Sequence, residues 1–239
     1  MKTLILHLSD VHIQSANDPI IARRTKIIEA IRNIEFALDG AAVVVSGDIA
    51  YSGKEDQYLS AMEFVESLCR DMQRELNQSA RIPCIVVPGN HDCDFTRGSA
   101  LRDLVLERLN ADASLISDAS IVQVCCGVQD EFFQFLNAVS FPPIQLTSRV
   151  GYTYAVKIGD ESIAFHCYNT AVSSKLEERA GSLICALRGS ESRDGASLVI
   201  AVLHHPYNWL IPSNARALRR EIEKNSDIVL TGQDRKSVV

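Results

Sequence analysis

The sequence has 239 residues, 46% of them hydrophobic and 23% charged, which is ordinary for a soluble globular protein that buries a sizeable core. A formal net charge of −6 excludes a global basic field that would attract nucleic acid or an anionic membrane. The seven cysteines are scattered, odd in number and form no CxxC pair, which indicates reduced thiols in a cytoplasmic protein. No apolar run approaches the roughly 20 residues of a membrane span, so we expect no signal peptide and no membrane partner.

The first third of the chain predicts strands that alternate with helices. Apolar runs at Thr3–Ser9, Ala41–Val45 and Ile82–Val87 are typical of buried strands, and amphipathic helices are predicted at Ile20–Leu38 and Glu55–Gln78. Buried strands joined by helices imply a parallel sheet, whose sites form beyond the carboxyl ends of the strands. Each of the three apolar runs is followed by side chains that could bind a metal ion.

The remainder of the chain is less regular. Helices are predicted at Leu101–Leu109, Gln129–Val139, Ser174–Leu187 and Ala215–Lys224. Strands are predicted at Tyr152–Ile158 and Ser162–Cys167, joined by a turn at Gly159–Glu161, and at Ser197–Leu203 and Asp227–Thr231. Because the sequence contains no repeat, low-complexity tract or linker, we expect one domain.

Candidate metal ligands follow four of the predicted strands. They are Asp10 and His12, Asp48, Asn90 and His91, and His204 and His205. Carboxylate, imidazole and amide groups without thiolate suit manganese, iron or zinc. In extended backbone Asp10 and His12 would point to the same side and bind one ion, and the two oxygens of Asp48 could bridge two ions. Two divalent ions roughly 3.5–4 Å apart can clamp a phosphoryl group and activate water.

Each of these motifs also has a purely structural interpretation. An isolated Asp-x-His is more often a surface turn, and Gly47-Asp48 alone is compatible with a turn or a helix cap. One of His204 and His205 is interpreted as a hydrogen-bonded neighbour of the other rather than a ligand. The joint occurrence of the motifs, each at the end of a predicted strand, favours a metal site.

Four motifs resemble successive signatures of the calcineurin-like metallophosphoesterases. They are Ser9–His12, Ser46–Asp48, Pro88–Asp92 and Leu203–Pro206, and the resemblance spans residues 3 to 232. It implies an α/β fold of four layers, α/β/β/α, in which two mixed β-sheets pack together and helices flank them. It also implies a phosphoesterase that hydrolyses phosphomonoester or phosphodiester bonds by a hydroxide activated by two divalent metal ions (Mn, Fe or Zn).

The resemblance assigns metal-binding roles by motif. Asp10 and His12 would bind the first ion, Asp48 would bridge the two ions, and Asn90 and His204 would bind the second ion. The choice of His204 over His205 rests on its position nearer the end of the predicted strand.

The resemblance also assigns catalytic and substrate-binding roles. His91 would contact the phosphate and protonate the leaving oxygen, and Asp92 would orient His91. Asn90 and His205 would contact the substrate as well. Further candidates for substrate contact are Lys54, Asn169 and Trp209. Trp209 is equally compatible with the core, and an exposed lysine at a helix start is the more common interpretation of Lys54.

The end of the chain departs from the family's pattern. The family has Gly-His-x-His after its last core strand, whereas Gln233 and Arg235 stand here at the two histidine positions after Gly232. A guanidinium is always charged and cannot ligate a cation. We therefore expect residues 1–233 to form a phosphoesterase domain that is incomplete at its C-terminus and lacks the last strands of the fold.

Residues 234–239 are expected to be a non-native tail, because they match the translation of a widely used sequencing adapter. A longer, multidomain chain is then one expectation, and weak or absent activity of the 239-residue form is another. The alternatives to an active enzyme are a binding or regulatory module that recognises a phosphorylated partner, and a nuclease for which nucleic acid is only a substrate. The sequence has no basic stripe with interleaved aromatic residues, which disfavours the nuclease.

Overall fold

The computed structural model describes residues 2–34, 37–144, 146, 148–158, 161–189 and 195–232. The strands in this part of the chain are β1 (Thr3–Leu8), β2 (Gly40–Ser46), β3 (Cys84–Val87), β4 (Gly151–Ile158), β5 (Glu161–Tyr168), β6 (Leu198–Leu203) and β7 (Ile228–Thr231). The helices are α1 (Pro19–Ala22), α2 (Arg24–Arg32), α3 (Glu55–Glu75), α4 (Ala100–Ala111), α5 (Ala119–Cys125), α6 (Asp130–Val139) and α7 (Pro212–Asn225).

The strands form two sheets. The first has the order β1-β2-β3, all parallel, and an antiparallel bridge between Cys84 and Phe141 extends it. The second has the order β4-β5-β6-β7, in which β4 and β5 are an antiparallel pair and the other neighbours are parallel. The predicted mixed sheets and the predicted hairpin are confirmed, and turn residues 159 and 160 lie outside the described chain.

The main core lies between the two sheets. Along β4, Tyr152, Tyr154 and Val156 are buried while the residues between them are exposed, because successive side chains of a strand point to opposite faces. The Tyr152 hydroxyl donates a hydrogen bond to the Val86 carbonyl at 2.6 Å and so links the second sheet to the first. The apolar faces of both sheets therefore form one continuous core.

Helices cover the outer faces of the sheets. In β6, Val202 belongs to the main core, whereas Leu203 packs in a second cluster with Leu218 and Ile222 of α7. Along α3, a buried stripe that includes Leu68 belongs to the same core as the first sheet. The predicted α/β/β/α arrangement is thus confirmed.

Two predicted helices differ from those observed. The predicted helix Ser174–Leu187 is wrong, because this segment has no helix: Leu183 bridges to Leu210, and Gly181 turns the chain at φ +80°. The predicted helix Ile20–Leu38 is two shorter helices, α1 and α2, and positions 35 and 36 lie outside the described residues. Helix α5 was not predicted.

Residues 233–239 also lie outside the described chain. Gln233, Arg235 and the predicted non-native tail fall on these residues, so the single-domain boundary remains a prediction. No helix in the part of the chain described here has the length and hydropathy that a membrane crossing requires.

Candidate metal centre

The loops that follow β1, β2, β3 and β6 bring candidate ligands together at one edge of the two sheets. In the first ligand group, one ligand atom each of Asp10, Asp48 and His204 lie within 4.8 Å of one another. In the second ligand group the same holds for His12, Asp48 and His91. Asp48 belongs to both groups, as a residue between two cations would.

Three of these residues have unusual backbone conformations. Asp10, His12 and Asp48 have φ of 55°, 54° and 56°, in the left-handed region that residues other than glycine rarely adopt. Hydrogen bonds between the loops hold this conformation: Asp10 N–H donates to the Gly47 carbonyl at 3.2 Å, and His12 N–H to the Asp48 carbonyl at 2.9 Å. The assumption of extended backbone between Asp10 and His12 was therefore wrong. Strain held by surrounding structure is typical of functional sites.

Two glycines allow the loops to approach closely. A Cβ on Gly47, whose φ is +93°, would lie 2.6 Å from Cγ of His204. A Cβ on Gly89 would lie 2.8 Å from Cγ of Asp48. Any larger residue at either position would displace a candidate ligand.

Asp48 and His204 form a buried pair. Oδ2 of Asp48 lies 3.2 Å from Nε2 of His204, and the Asp48 side chain also accepts a hydrogen bond from His91 N–H at 2.8 Å. Burial opposes ionisation of Asp48, but the nearby charge of His204 lowers the pKa of Asp48 to about 2. Burial likewise opposes the charge on His204, yet Asp48 raises its pKa to about 9. Each member of the pair therefore stabilises the charged form of the other, and the pair carries no net charge.

Two imidazole nitrogens of the site are buried without hydrogen-bond partners among the described residues: Nδ1 of His12 and Nε2 of His204. Nδ1 of His204 lies 2.8 Å from the Ser46 carbonyl and can donate to it, which turns Nε2 toward Asp48. Burial lowers the pKa of His12, which favours the neutral ring that binds metals. Buried nitrogens without partners beside carboxylates fit a divalent cation of the manganese, iron or zinc type.

His91 lies at the solvent side of the second ligand group. Its Nδ1 is 2.7 Å from the Tyr51 carbonyl, and its ring centroid is 4.5 Å from that of His12. The carbonyl of Tyr51 accepts the Nδ1 hydrogen and leaves Nε2 free. The backbone carbonyl of Tyr51 therefore orients the His91 ring. No sequence motif indicates such a contact with a backbone carbonyl.

The prediction that Asp92 orients His91 is wrong. Its buried carboxylate accepts hydrogen bonds from the N–H groups of Asp48 at 2.7 Å, Ala50 at 3.1 Å and Gly89 at 2.9 Å. Burial and the charge of Asp48 raise the pKa of Asp92 to about 6, although the N–H donors of Gly89 and Ala50 lower it. Through these hydrogen bonds Asp92 links the loop after β2 to the loop after β3.

Asn90 lies beside His205. Its Oδ1 is 3.3 Å from Nε2 of the buried His205, whose Nδ1 is 3.0 Å from Oγ1 of Thr170. Glu178, which the sequence analysis missed, lies 3.3 Å from the same Nε2. Glu178 was not recognised as a site residue because its segment was predicted as a helix.

The three weaker candidates have different environments. Nζ of Lys54 is paired with Asp94 at 2.6 Å. Asn169 is fully buried, and its amide donates to Gln129 at 2.8 Å, which indicates a structural role. The ring of Trp209 lies 6.0 Å from that of His205.

A cavity of about 350 Å³ opens beside His91 and Asn90. Tyr51, Phe95 and Leu176 line its apolar side, and Leu176 is 82% exposed. The cavity therefore gives a group bound at the site an apolar surface to contact.

Comparisons with known proteins show which family the chain is similar to. The model of the calcineurin-like phosphoesterase family matches residues 3–232. The "Uncharacterized metallophosphoesterase-like protein YydB" of Bacillus subtilis (strain 168) is 25% identical over 93% of this chain and 46% of its own length. The glycerophosphodiester phosphodiesterase GpdQ of Enterobacter lignolyticus (strain SCF1) is 30% identical over 37% of this chain and 29% of its own. The chain thus spans less than half the length of these relatives.

Among solved structures, the 5'-nucleotidase precursor from Thermus thermophilus is similar with a TM-score of 0.41 and 11% identity. The alignment covers 95% of this chain and 41% of that one.

Proposed function

This chain belongs to the calcineurin-like phosphoesterase family, and from that premise we propose that it is a metal-dependent hydrolase of phosphomonoesters or phosphodiesters. The observation that supports the proposal best is the convergence of the two ligand groups on Asp48. An isolated buried carboxylate would have no such neighbours, whereas a hydrolase with two cations requires them.

Asp10, His12, Asp48 and His204 would hold the cations. Bound divalent cations would neutralise charge on the phosphoryl oxygens and lower the pKa of water. Asp48 and His204 are buried, Asp10 and His12 are partly buried, and hydrogen bonds between the loops hold the backbone of Asp10 and His12. Little reorganisation is therefore needed when the substrate arrives.

His91 would donate the proton to the leaving oxygen. Its Nδ1 hydrogen is held by the Tyr51 carbonyl, so the ring is already oriented and Nε2 can carry the transferred proton. The amide of Asn90, at the edge of the same cavity, would donate a hydrogen bond to the phosphate. The apolar cavity wall at Tyr51 and Phe95 would contact the ester group.

Hydrolysis of p-nitrophenyl phosphate and bis(p-nitrophenyl) phosphate tests this proposal after metal removal and readdition of Mn²⁺, Fe²⁺ or Zn²⁺. We expect weak, metal-dependent turnover of the 239-residue chain, because Gln233 and Arg235 stand where the family has histidines. Asp48→Asn should lower this turnover at least about a hundredfold, because changes to residues that only support the ligands already cost about 10- to 100-fold. The exposed Asp103→Asn is the matched control and should keep the parent rate. Metal binding without turnover would favour the binding-module alternative, and absence of metal binding would reject the proposal.

A further inference from the structure

The cavity beside His91 has an apolar wall that hydrolysis of a phosphate ester does not itself require. Tyr51, Phe95 and Leu176 form that wall, and the side chains of Tyr51 and Leu176 are exposed to solvent. A single exposed leucine or tyrosine is ordinary, but bulky apolar groups around one concave surface are typical of a ligand pocket. A volume of about 350 Å³ is near the lower end of the range for such pockets, so it suits a small organic group.

Contacts on both sides of Leu176 hold its segment in place. The carbonyl of Ser174, two residues before Leu176, accepts a hydrogen bond from the guanidinium of Arg102 at 2.8 Å. The carboxylate of Glu178, two residues after it, lies 3.3 Å from Nε2 of the buried His205. Both flanking residues are therefore tied to the interior of the protein, and Leu176 is presented at the cavity between them.

Arg102 also contacts a second part of the apolar wall. The residue is buried, and its Cζ lies 5.9 Å from the centroid of the Phe95 ring. Its Nε donates a hydrogen bond to the carbonyl of Cys125 at 3.0 Å, which fixes the guanidinium against the end of α5. Arg102 is therefore a positioning residue that holds Phe95 and the segment of Leu176 in a fixed relation.

Tyr51 places the apolar wall next to the proposed proton donor. Its carbonyl lies 2.7 Å from Nδ1 of His91, and the centroids of the two rings are 5.7 Å apart. A leaving group that takes a proton from Nε2 of His91 therefore starts within reach of the Tyr51 ring. The wall is consequently a surface for the alcohol part of the ester rather than for the phosphate.

The charged side chains of the cavity neutralise each other. Nζ of Lys54 donates hydrogen bonds to Oδ1 of Asp94 and to Oγ1 of Thr96, both at 2.6 Å. A lysine paired with a carboxylate presents little net charge to a ligand, because the two opposite charges act on it together. The cavity therefore fits an uncharged leaving group better than one with a carboxylate or a second phosphate.

We propose that this cavity selects substrates in which the phosphate is esterified to an uncharged alcohol that carries an aromatic ring. The inference rests on the proposed function and adds to it the class of leaving group and three specificity-determining residues, Tyr51, Phe95 and Leu176. Aromatic rings pack favourably in offset or edge-to-face contact with other rings, which Tyr51 and Phe95 can provide. Leu176 adds an aliphatic contact at the solvent side.

Binding of 2-(2-naphthyl)ethanol to the metal-free 239-residue protein tests the pocket without catalysis, with naphthalene fluorescence as the readout. We expect saturable binding that Leu176→Ala weakens at least about fivefold, because removal of even one methylene contact in an apolar pocket can cost about tenfold. Leu176→Phe should bind at least as tightly as the parent. Leu104→Ala is the matched control, since Leu104 is exposed on α4 and lines a different cavity.

Turnover of matched phosphomonoesters, measured as phosphate release with Mn²⁺ present, tests the selectivity. We expect kcat/KM for 2-(2-naphthyl)ethyl phosphate to exceed that for ethyl phosphate at least tenfold, and carboxymethyl phosphate to show no such advantage. Leu176→Ala should lower the ratio between the naphthyl and ethyl esters chiefly by raising KM for the naphthyl ester, as loss of a ground-state contact does. Leu104→Ala should keep the ratio of the parent.

Absence of alcohol binding by the parent, or equal binding by the parent and Leu176→Ala, would overturn the inference. A preference for carboxymethyl phosphate would also overturn it, since Lys54 would then serve an anionic group. In these cases metal-dependent hydrolysis of any of the esters leaves the proposed function intact. Alcohol binding that depends on Leu176, without turnover of any ester, would support the pocket and contradict the proposed function instead.

Discussion

At the scale of single residues, Asp92 shows how a motif can place a residue correctly and mislead about its role. Its sequence position next to His91 suggested a partner of that imidazole. The carboxylate instead accepts hydrogen bonds from three backbone N–H groups and from the Tyr58 hydroxyl, at 3.2 Å for the last. Its contribution is to the positions of the loops after β2 and β3.

We expect Asp92→Ala to lower the free energy of unfolding by about 3 kcal/mol or more, because several buried donors would lose their acceptor. Asp92→Asn keeps one acceptor oxygen and should cost less. Urea denaturation of both variants, with the exposed Asp103→Asn as control, measures this. A parent-like stability of Asp92→Ala would show that the N–H donors find other partners.

At the scale of elements, the close approach of the loops depends on residues without a side chain. Gly89 follows β3 and lies against Asp48, which follows β2. The ends of two neighbouring strands can therefore place their ligands within one coordination distance.

Gly89→Ala should cost about 1–3 kcal/mol of stability, the range for overpacking, and should abolish Mn²⁺ binding by displacing the Asp48 side chain. Gly127→Ala is a suitable control, because no atom lies within 4 Å of the Cβ it would add. Thermal unfolding and Mn²⁺ titration of the two variants measure both effects. Unchanged Mn²⁺ affinity in Gly89→Ala would contradict the proposed crowding.

At the scale of the whole molecule, the site depends on two sheets being held in a fixed relation. The first sheet supplies Asp10, His12, Asp48 and Asn90, and the second supplies the loop with the paired histidines after β6. The Tyr152 hydroxyl is one polar link between the sheets, and it lies among the apolar side chains of the main core.

Tyr152→Phe removes that link and leaves the Val86 carbonyl without this buried donor, which should cost about 1–2 kcal/mol. Tyr207→Phe, on a partly exposed ring of the α7 side, should change stability by less than about 0.5 kcal/mol. Chemical denaturation of the two variants makes the comparison, and equal losses would reject the inter-sheet role.

The sequence predicted well what local patterns determine. Buried strands are visible as apolar runs, and the ligands directly after them have fixed places relative to the sheets. Glu178 was missed because its position depends on the path of a loop whose amphipathic pattern resembles a helix. Bonds to distant backbone, such as those of Leu183 to Trp209 and Ile211, determine that path.

His204 and His205, whose ring planes differ by 80°, come directly after β6, which pairs with β5 so that Leu203 is opposite Tyr168. Strand side chains alternate between faces, so a shift of this pairing by one residue would exchange the surroundings of the two imidazoles. Both histidines would still be present in such a protein, and a motif search would detect nothing amiss. An insertion of one residue inside β6 would therefore change the surroundings of both histidines, whereas a substitution of one ligand changes only that ligand.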